Sequence, residues 1–340
     1  GSNGKTTTKD ILTSILSQKA PVLSTQGNFN NHIGLPLTIF QLKNKHRYCV
    51  LEMGINHTGE IAQLCDIVSP SVGVITNVGT AHIGNFGSLK NTLKAKMEIF
   101  NMLGETGIAV INNDDKLISD AAKNIKCRKI TFGVKNSADV SASDILLKTD
   151  GTVFSLILKK QKKKVEMPSL GSFNVYNALA ASSCASVLNC NIDEVVSGIQ
   201  SFVPPNKRME TIKLRNGAIL VNDSYNANPT SMQEAIENFS KIFYNRGRIL
   251  VLGDMLELGR FEVIEHKKIG EFIKKNNYAD DVLTVGTLSK NISKKFGGRW
   301  FKDKNELLMY LERNLKKGDA VLFKASRKIA LEEVVKSLNH

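Results

Sequence analysis

The sequence predicts an α/β protein of two domains, each with a mostly parallel sheet covered by helices. Three observations carry that expectation. Short β-rich runs alternate with helix-length amphipathic stretches along most of the chain. The loop Gly1-Ser2-Asn3-Gly4-Lys5-Thr6-Thr7 leads straight into a helical pattern. Pro204-Pro205 stands between two alternating stretches, as a stiff link would. The expected domains are therefore residues 1–204 and 205–340.

In order, the apolar spacing Ile11, Leu12, Ile15, Leu16 predicts a helix over 6–17. Strands are expected at 22–24, 48–53, 72–76, 108–112 and 129–132, with helices at 60–68, 88–103 and 174–188 between and after them. Residues 139–167 depart from the alternation and read as a small antiparallel insertion. Within it, the basic run 159–164 (KKQKKK) lies between two β-rich runs and is expected at a solvated hairpin tip. Beyond the proline pair, strands are expected at 218–222, 248–252, 281–285 and 320–323. Helices are expected at 230–243, 262–275, 306–314 and 330–338.

The chain has 340 residues, 42% hydrophobic and 23% charged, the balance of a globular protein with two cores. No apolar run reaches the ~20 residues of a membrane span, so no membrane insertion is expected. Its five cysteines form no C-x-x-C pair, which suits free thiols in a reducing cytoplasm. The net charge of +14 admits a nucleic-acid binder. The basic residues are dispersed, however, with few aromatics among them for base stacking, and polyanionic small substrates suit the charge equally.

The first loop carries the clearest chemistry. Gly4 permits a tight turn that aims backbone N–H groups at phosphate oxygens. Lys5 brings a positive charge to β- and γ-phosphates, and the Thr6 hydroxyl suits Mg²⁺. The helix N-terminus adds its dipole to the same place. A chance glycine-rich turn is the plain alternative for so short a motif. A phosphate loop ordinarily follows a buried strand and none precedes this one, so the chain is expected to be part of a longer protein.

Other polar groups fall at strand ends, where ligands of parallel sheets gather. Glu52 ends the run 48–51 and can reach a loop-bound Mg²⁺, although a strand-terminal Glu is commonly just solvated. His82 follows the strand 72–76, where an isolated loop histidine is usually an ordinary surface residue. Lys96 sits on an amphipathic helix, where solvation is the default. The run Asn222-Asp223-Ser224-Tyr225-Asn226-Ala227-Asn228-Pro229 holds more polar groups than a helix cap requires.

Together these residues resemble the Mur ligase family of ATP-dependent amide ligases. The matching stretches are the first loop, 28–38 (NFNNHIGLPLT), 52–54 (EMG), Ala81-His82 with Phe86-Gly87-Ser88, and 95–100 (AKMEIF). Asn174 with Asn177, 208–210 (RME), 223–229 (DSYNANP), 252–259 (LGDMLELG) and 324–327 (KASR) complete the series. The DSYNANP and LGDMLELG stretches are most like the branch of the family that takes D-alanyl-D-alanine. Ala325 stands where glycine is expected.

The resemblance implies a central P-loop ATPase-like domain, a C-terminal Rossmann-like domain and a third, N-terminal domain that holds the UDP end of the substrate. It implies UDP-N-acetylmuramoyl-tripeptide and D-alanyl-D-alanine as substrates, ATP and two Mg²⁺ ions, and a cytoplasmic monomer that binds no nucleic acid. Gly1 to Thr7 would cradle the phosphates. Thr6 and Glu52 would hold one Mg²⁺, and His82 the second together with Lys96, carbamylated by CO₂. Asn174 and Asn177 would contact adenine, with Arg208, Asp223, Tyr225 and Asn226 reaching the nucleotide from the C-terminal domain. Asn31, Lys324, Ser326 and Arg327 would bind the other substrates. Other members of the family, a third-residue-adding ligase or a folylpolyglutamate or cyanophycin synthetase, remain alternatives, as does a nucleotide-binding homologue without turnover.

Overall fold

The computed structural model describes residues 1–81 and 83–339, so His82 lies outside the described residues. Two strands, β1 (Val22–Ser24) and β2 (Tyr48–Val50), pair in parallel as a separate small sheet. The main sheet of this first half begins with β3 (Val72–Ile75), β4 (Ile108–Asn112) and β5 (Arg128–Gly133), all parallel. It continues through β6 (Val140–Lys148), β7 (Gly151–Leu158) and β8 (Gln161–Met167), which run antiparallel to one another. The antiparallel segment is therefore present, but β6 pairs with β5 and extends the sheet rather than standing apart from it.

The basic run lies differently from expectation. Only Lys159 and Lys160 form the turn, both with positive φ, while Lys162 to Lys164 belong to β8. Acidic neighbours pair with them: Asp144 with Lys162 at 2.9 Å, Asp193 with Lys163, and Glu166 with Lys164 at 2.6 Å. A patch so interleaved with carboxylates is a solvated surface rather than a track for a polyanion.

Helices cover both faces of the main sheet. Ile11, Ile15 and Leu16 from the helix Lys5–Ser17 and Val175, Ala178 and Leu179 from Ser172–Val187 pack with Val110, Phe132 and Leu156 in one core. Met97 and Phe100 of the helix Leu89–Asn101 join Ile75, Ala109 and Ile111 in another. The all-round burial of Ser172–Val187 explains its near-absence of charge: it is wedged between the first helix and the sheet.

The C-terminal sheet contains β9 (Glu210–Lys213), β10 (Ile219–Asn222), β11 (Gly247–Gly253), β12 (Asp281–Val285), β13 (Arg299–Phe301) and β14 (Asp319–Lys324). Their spatial order is β13-β12-β11-β14-β10-β9, parallel except for β9. Helices Pro229–Ile242 and Glu262–Asn276 cover one face, and Lys304–Asn314 and Glu332–Leu338 the other. Asn222 and Lys324 end β10 and β14 side by side, and Asp223 follows at once, so DSYNANP emerges at the carboxyl edge of this sheet.

Candidate active site

A single cavity of about 1300 Å³ runs between the two halves and gathers the first loop, Glu52, Lys96, Arg208, Asp223 and Lys324 into one wall. Apolar residues line it too: β2 and β3, which do not pair with each other, share the lining with Leu12, Leu16 and Leu188.

The loop is held from both sides. The Ser2 hydroxyl accepts from the backbone N–H of Gly79 at 2.8 Å and donates to its carbonyl at 3.1 Å. The Asn3 N–H donates to Asn77 Oδ1 at 2.9 Å, and the Asn3 carbonyl accepts from Thr76 Oγ1 at 2.6 Å. Gly4 then turns with φ of +82°, and a Cβ there would stand 2.1 Å from Asn177 Oδ1. Only glycine satisfies both constraints. The helix Lys5–Ser17 opens from this turn without a side-chain cap, which leaves its first N–H groups for an anion. Lys5 Nζ folds back onto the Gly1 carbonyl at 2.8 Å. Burial lowers its pKa, an effect Glu52 partly opposes.

Glu52 lies two residues past the end of β2 and is buried. Its Oε1 accepts from Asn30 Nδ2 at 2.8 Å, and its backbone N–H donates to Thr25 Oγ1 at 3.0 Å. The second oxygen, Oε2, is buried with no hydrogen-bond partner among the described residues. A buried carboxylate oxygen left bare is costly unless something outside the chain supplies the charge.

Lys96 is only 5% exposed. Burial first, and then the positive charge of Lys5, lower its pKa to about 7. Among the described residues its amine has no hydrogen-bond or ion-pair partner. A helix-face lysine that looked solvated in the sequence is thus a buried amine, neutral for about half the time near pH 7.

The C-terminal half reaches the loop directly. Arg208 Nη2 donates to Thr6 Oγ1 at 3.1 Å, and its guanidinium stacks over the Tyr225 ring at 4.1 Å. Asn228 Nδ2 donates to Asn3 Oδ1 at 2.8 Å, and the hydroxyls of Thr80 and Thr230 meet at 3.1 Å. Lys324 is buried against Asp223 Oδ2 at 2.6 Å and the Asn226 carbonyl at 3.1 Å.

Several expected residues have other partners. Asn174 donates to Ser169 Oγ and the Leu170 carbonyl, both at 2.8 Å, and its Oδ1 accepts from Asn177. Both asparagines line the cavity, but these bonds make them a brace beneath Gly4. Ser326 is buried and ties Leu256 N–H, at 2.8 Å, to the Ala227 carbonyl. Arg327 pairs with Glu332, and neither Ser326 nor Arg327 lines the cavity. Asn31 does line it, with Oδ1 accepting from Gly34 N–H at 2.9 Å. Ala325 causes no strain: its methyl is buried against Gly253, and its φ is not positive. Sequence reasoning missed Asn30 and Asn228 as partners, although both stand inside the quoted motifs. It also missed Glu234, a cavity residue whose carboxyl burial raises to about 7.

The Mur ligase middle-domain model matches residues 1–185, and the Mur ligase glutamate ligase domain model matches 207–327. The chain is 38% identical over 345 residues to the UDP-N-acetylmuramoyl-tripeptide–D-alanyl-D-alanine ligase of Bacillus subtilis, covering 99% of this chain and 74% of that protein. It superposes on a MurF crystal structure from Acinetobacter baumannii with a TM-score of 0.93 at 32% identity, over 99% of this chain and 75% of that one. The MurF ligase of Thermotoga maritima in complex with ADP gives 0.89 at 30% identity, over 100% of this chain and 78% of that one.

Proposed function

Because the chain belongs to the Mur ligase family, we infer that it joins D-alanyl-D-alanine to UDP-N-acetylmuramoyl-tripeptide at the expense of ATP, in peptidoglycan precursor synthesis. The observation that supports this most directly is the convergence of the phosphate loop, bare Glu52 Oε2 and buried Lys96 on one cavity that the C-terminal half also lines. ATP binding accords with the relative whose structure contains ADP.

The tripeptide's terminal carboxylate attacks the γ-phosphorus of ATP, forming an acyl phosphate and releasing ADP. The free amine of D-alanyl-D-alanine then adds to the acyl carbon, and the tetrahedral intermediate expels phosphate to leave an amide. The first step brings anion onto anion. Lys5, once it leaves the Gly1 carbonyl, and the open N–H groups of its helix offset that repulsion at the β- and γ-phosphates. Arg208 fixes Thr6 from the far side, and its stack on Tyr225 gives a planar surface beside the nucleotide. Closure of the C-terminal half therefore completes the site. Asp223 neutralises Lys324 until a substrate carboxylate competes for the ammonium.

The donors present suit Mg²⁺, a hard cation satisfied by one or two carboxylates together with substrate phosphates. Thr6 and Glu52 would hold one ion, with Oε2 the free ligand atom. Among the described residues no three His, Cys, Asp or Glu side chains form a cage, as Mg²⁺ does not require one. Mg²⁺ supplies charge neutralisation at the transferring phosphoryl group. Lys96 fits the second site as a carbamate, with His82 as its companion. The neutral amine attacks CO₂ and loses one proton to solvent, so an uncharged buried group becomes an anion with two oxygens. The lowered pKa leaves the amine available for that reaction. The reading places the chain in the cytoplasm, as a monomer with residues 1–204 and 205–340 as its two units.

The test offers D-alanyl-D-alanine, glutamate and diaminopimelate separately, with ATP and the matching UDP-linked acyl substrates, and follows phosphate release. D-alanyl-D-alanine alone should support turnover. Turnover only with glutamate or diaminopimelate would move the chain to another branch of the family, and nucleotide binding without any turnover would make it a non-catalytic homologue.

A further inference from the structure

Asn228 opens the helix Pro229–Ile242, and its hydrogen bonds allow its amide one orientation. Its Oδ1 accepts from Ser231 N–H at 3.0 Å, while its own N–H donates to Ser231 Oγ at 3.1 Å. This capping box commits the oxygen, so Nδ2 is the atom that faces the phosphate loop, where it donates to Asn3 Oδ1 at 2.8 Å.

That bond orients Asn3 in turn. With its oxygen held toward Asn228, Asn3 Nδ2 must point away, and it is buried with no hydrogen-bond partner among the described residues. The Asn3 backbone is itself pinned to Asn77 and Thr76, so the amide is the part left to be set. A buried, unpartnered donor is unfavourable by itself and becomes favourable when an acceptor arrives. Asn3 sits in the loop that faces the cavity, and Asn228 comes from the other half of the chain. The incoming group that best suits a spare N–H there is an anionic oxygen.

We propose that Asn228 is a positioning residue for nucleotide binding: it turns the Asn3 amide so that Nδ2 meets a phosphate oxygen of ATP. The proposal rests on the loop being the ATP site. The bond joins the two halves of the chain, so contact between the halves and nucleotide binding favour each other by linkage.

The variant Asn228→Asp separates this role from helix capping. Aspartate caps a helix as well as asparagine does, so the melting temperature without nucleotide should stay near wild type. Its carboxylate only accepts, which forces Asn3 to reverse and spend Nδ2 on residue 228. Titration calorimetry with AMP-PNP should then show affinity roughly tenfold or more below wild type, the range for a lost hydrogen bond to a charged group. Steady-state assays should show KM for ATP raised and KM for D-alanyl-D-alanine unchanged, whereas a merely structural role would disturb both. Asn3→Ala should lose a similar factor, and Asn228→Asp should add nothing in that background. Should Asn228→Asp melt early, Asn228→Ser retains a cap, lacks the longer Nδ2 arm that reaches Asn3, and is measured in its place.

Wild-type AMP-PNP affinity in these variants, or losses that multiply in the double variant, would overturn the proposal while leaving the ATP site intact. A wild-type protein that fails to bind AMP-PNP would instead overturn the ATP-site reading, and this inference with it.

Discussion

Replacing Lys96 by methionine should stabilise the protein while destroying its activity. The side chain is 5% exposed, and its pKa falls from 10.5 to about 7 on folding, chiefly through burial. Each unit is worth about 1.4 kcal/mol, so at pH 7 an unmodified Lys96 destabilises the fold by roughly 4 kcal/mol. Methionine has similar length and no charge to desolvate, and should recover a good part of that. The sign follows from the lowered folded-state pKa. The penalty is absent above pH 10.5, grows as pH falls toward 7 and is constant below that. Urea unfolding of nucleotide-free, CO₂-depleted protein should therefore show Lys96→Met more stable than wild type at pH 7, with the advantage shrinking by pH 10. Ligase turnover should fall by about 10² or more, since no carbamate can form, and short carboxylates should restore part of it in Lys96→Ala. A stability difference independent of pH would refute the burial argument. Turnover near wild type would refute the role.

Three further outcomes follow from single contacts. Asn30→Ala removes the donor that orients Glu52, so the apparent Mg²⁺ affinity in the ATPase assay should drop about 10–100-fold with the fold intact. Gly4→Ala puts a methyl 2.1 Å from Asn177 Oδ1 at φ of +82° and should abolish measurable AMP-PNP binding while costing about 1–2 kcal/mol or more in urea unfolding. His266 is fully buried, with Nε2 accepting from Met255 N–H at 2.9 Å and Nδ1–H donating to the Glu262 carbonyl at 2.6 Å. Burial holds its pKa below 6.5, so its contribution to stability is present above pH 6.5 and is lost as pH falls further. The acid slope of the unfolding free energy should be shallower in His266→Gln.

Periodicity alone placed the long elements well, because each buries one regular face: the helices Lys5–Ser17, Leu89–Asn101 and Glu262–Asn276 lie within two residues or so of their expected bounds. The short edge strands β9 and β13 escaped, as did the helix Gly34–Ile39. Elements of three to six residues are too short to show a period. The expected strand 48–53 shortened to Tyr48–Val50, since Leu51 and Glu52 run on past the last pairing with β1. At the site, the loop, Glu52 and Arg208 met as the motifs implied. Burial of Lys96 was invisible, because its helix buries Thr92, Ala95 and Lys96 where two different elements converge. Amide networks were invisible for a related reason. Whether Asn177 or Asn228 faces a ligand or another side chain depends on partners far away in sequence, Thr8 for the first and Asn3 for the second.

Activation of the tripeptide carboxylate as an acyl phosphate leaves an isotopic trace. Tripeptide labelled with ¹⁸O in that carboxylate, turned over with ATP and D-alanyl-D-alanine, tests it directly by mass analysis of the products. One labelled oxygen should appear in the released phosphate, with ADP as the nucleotide product. Label recovered in AMP, or phosphate free of label, would contradict it.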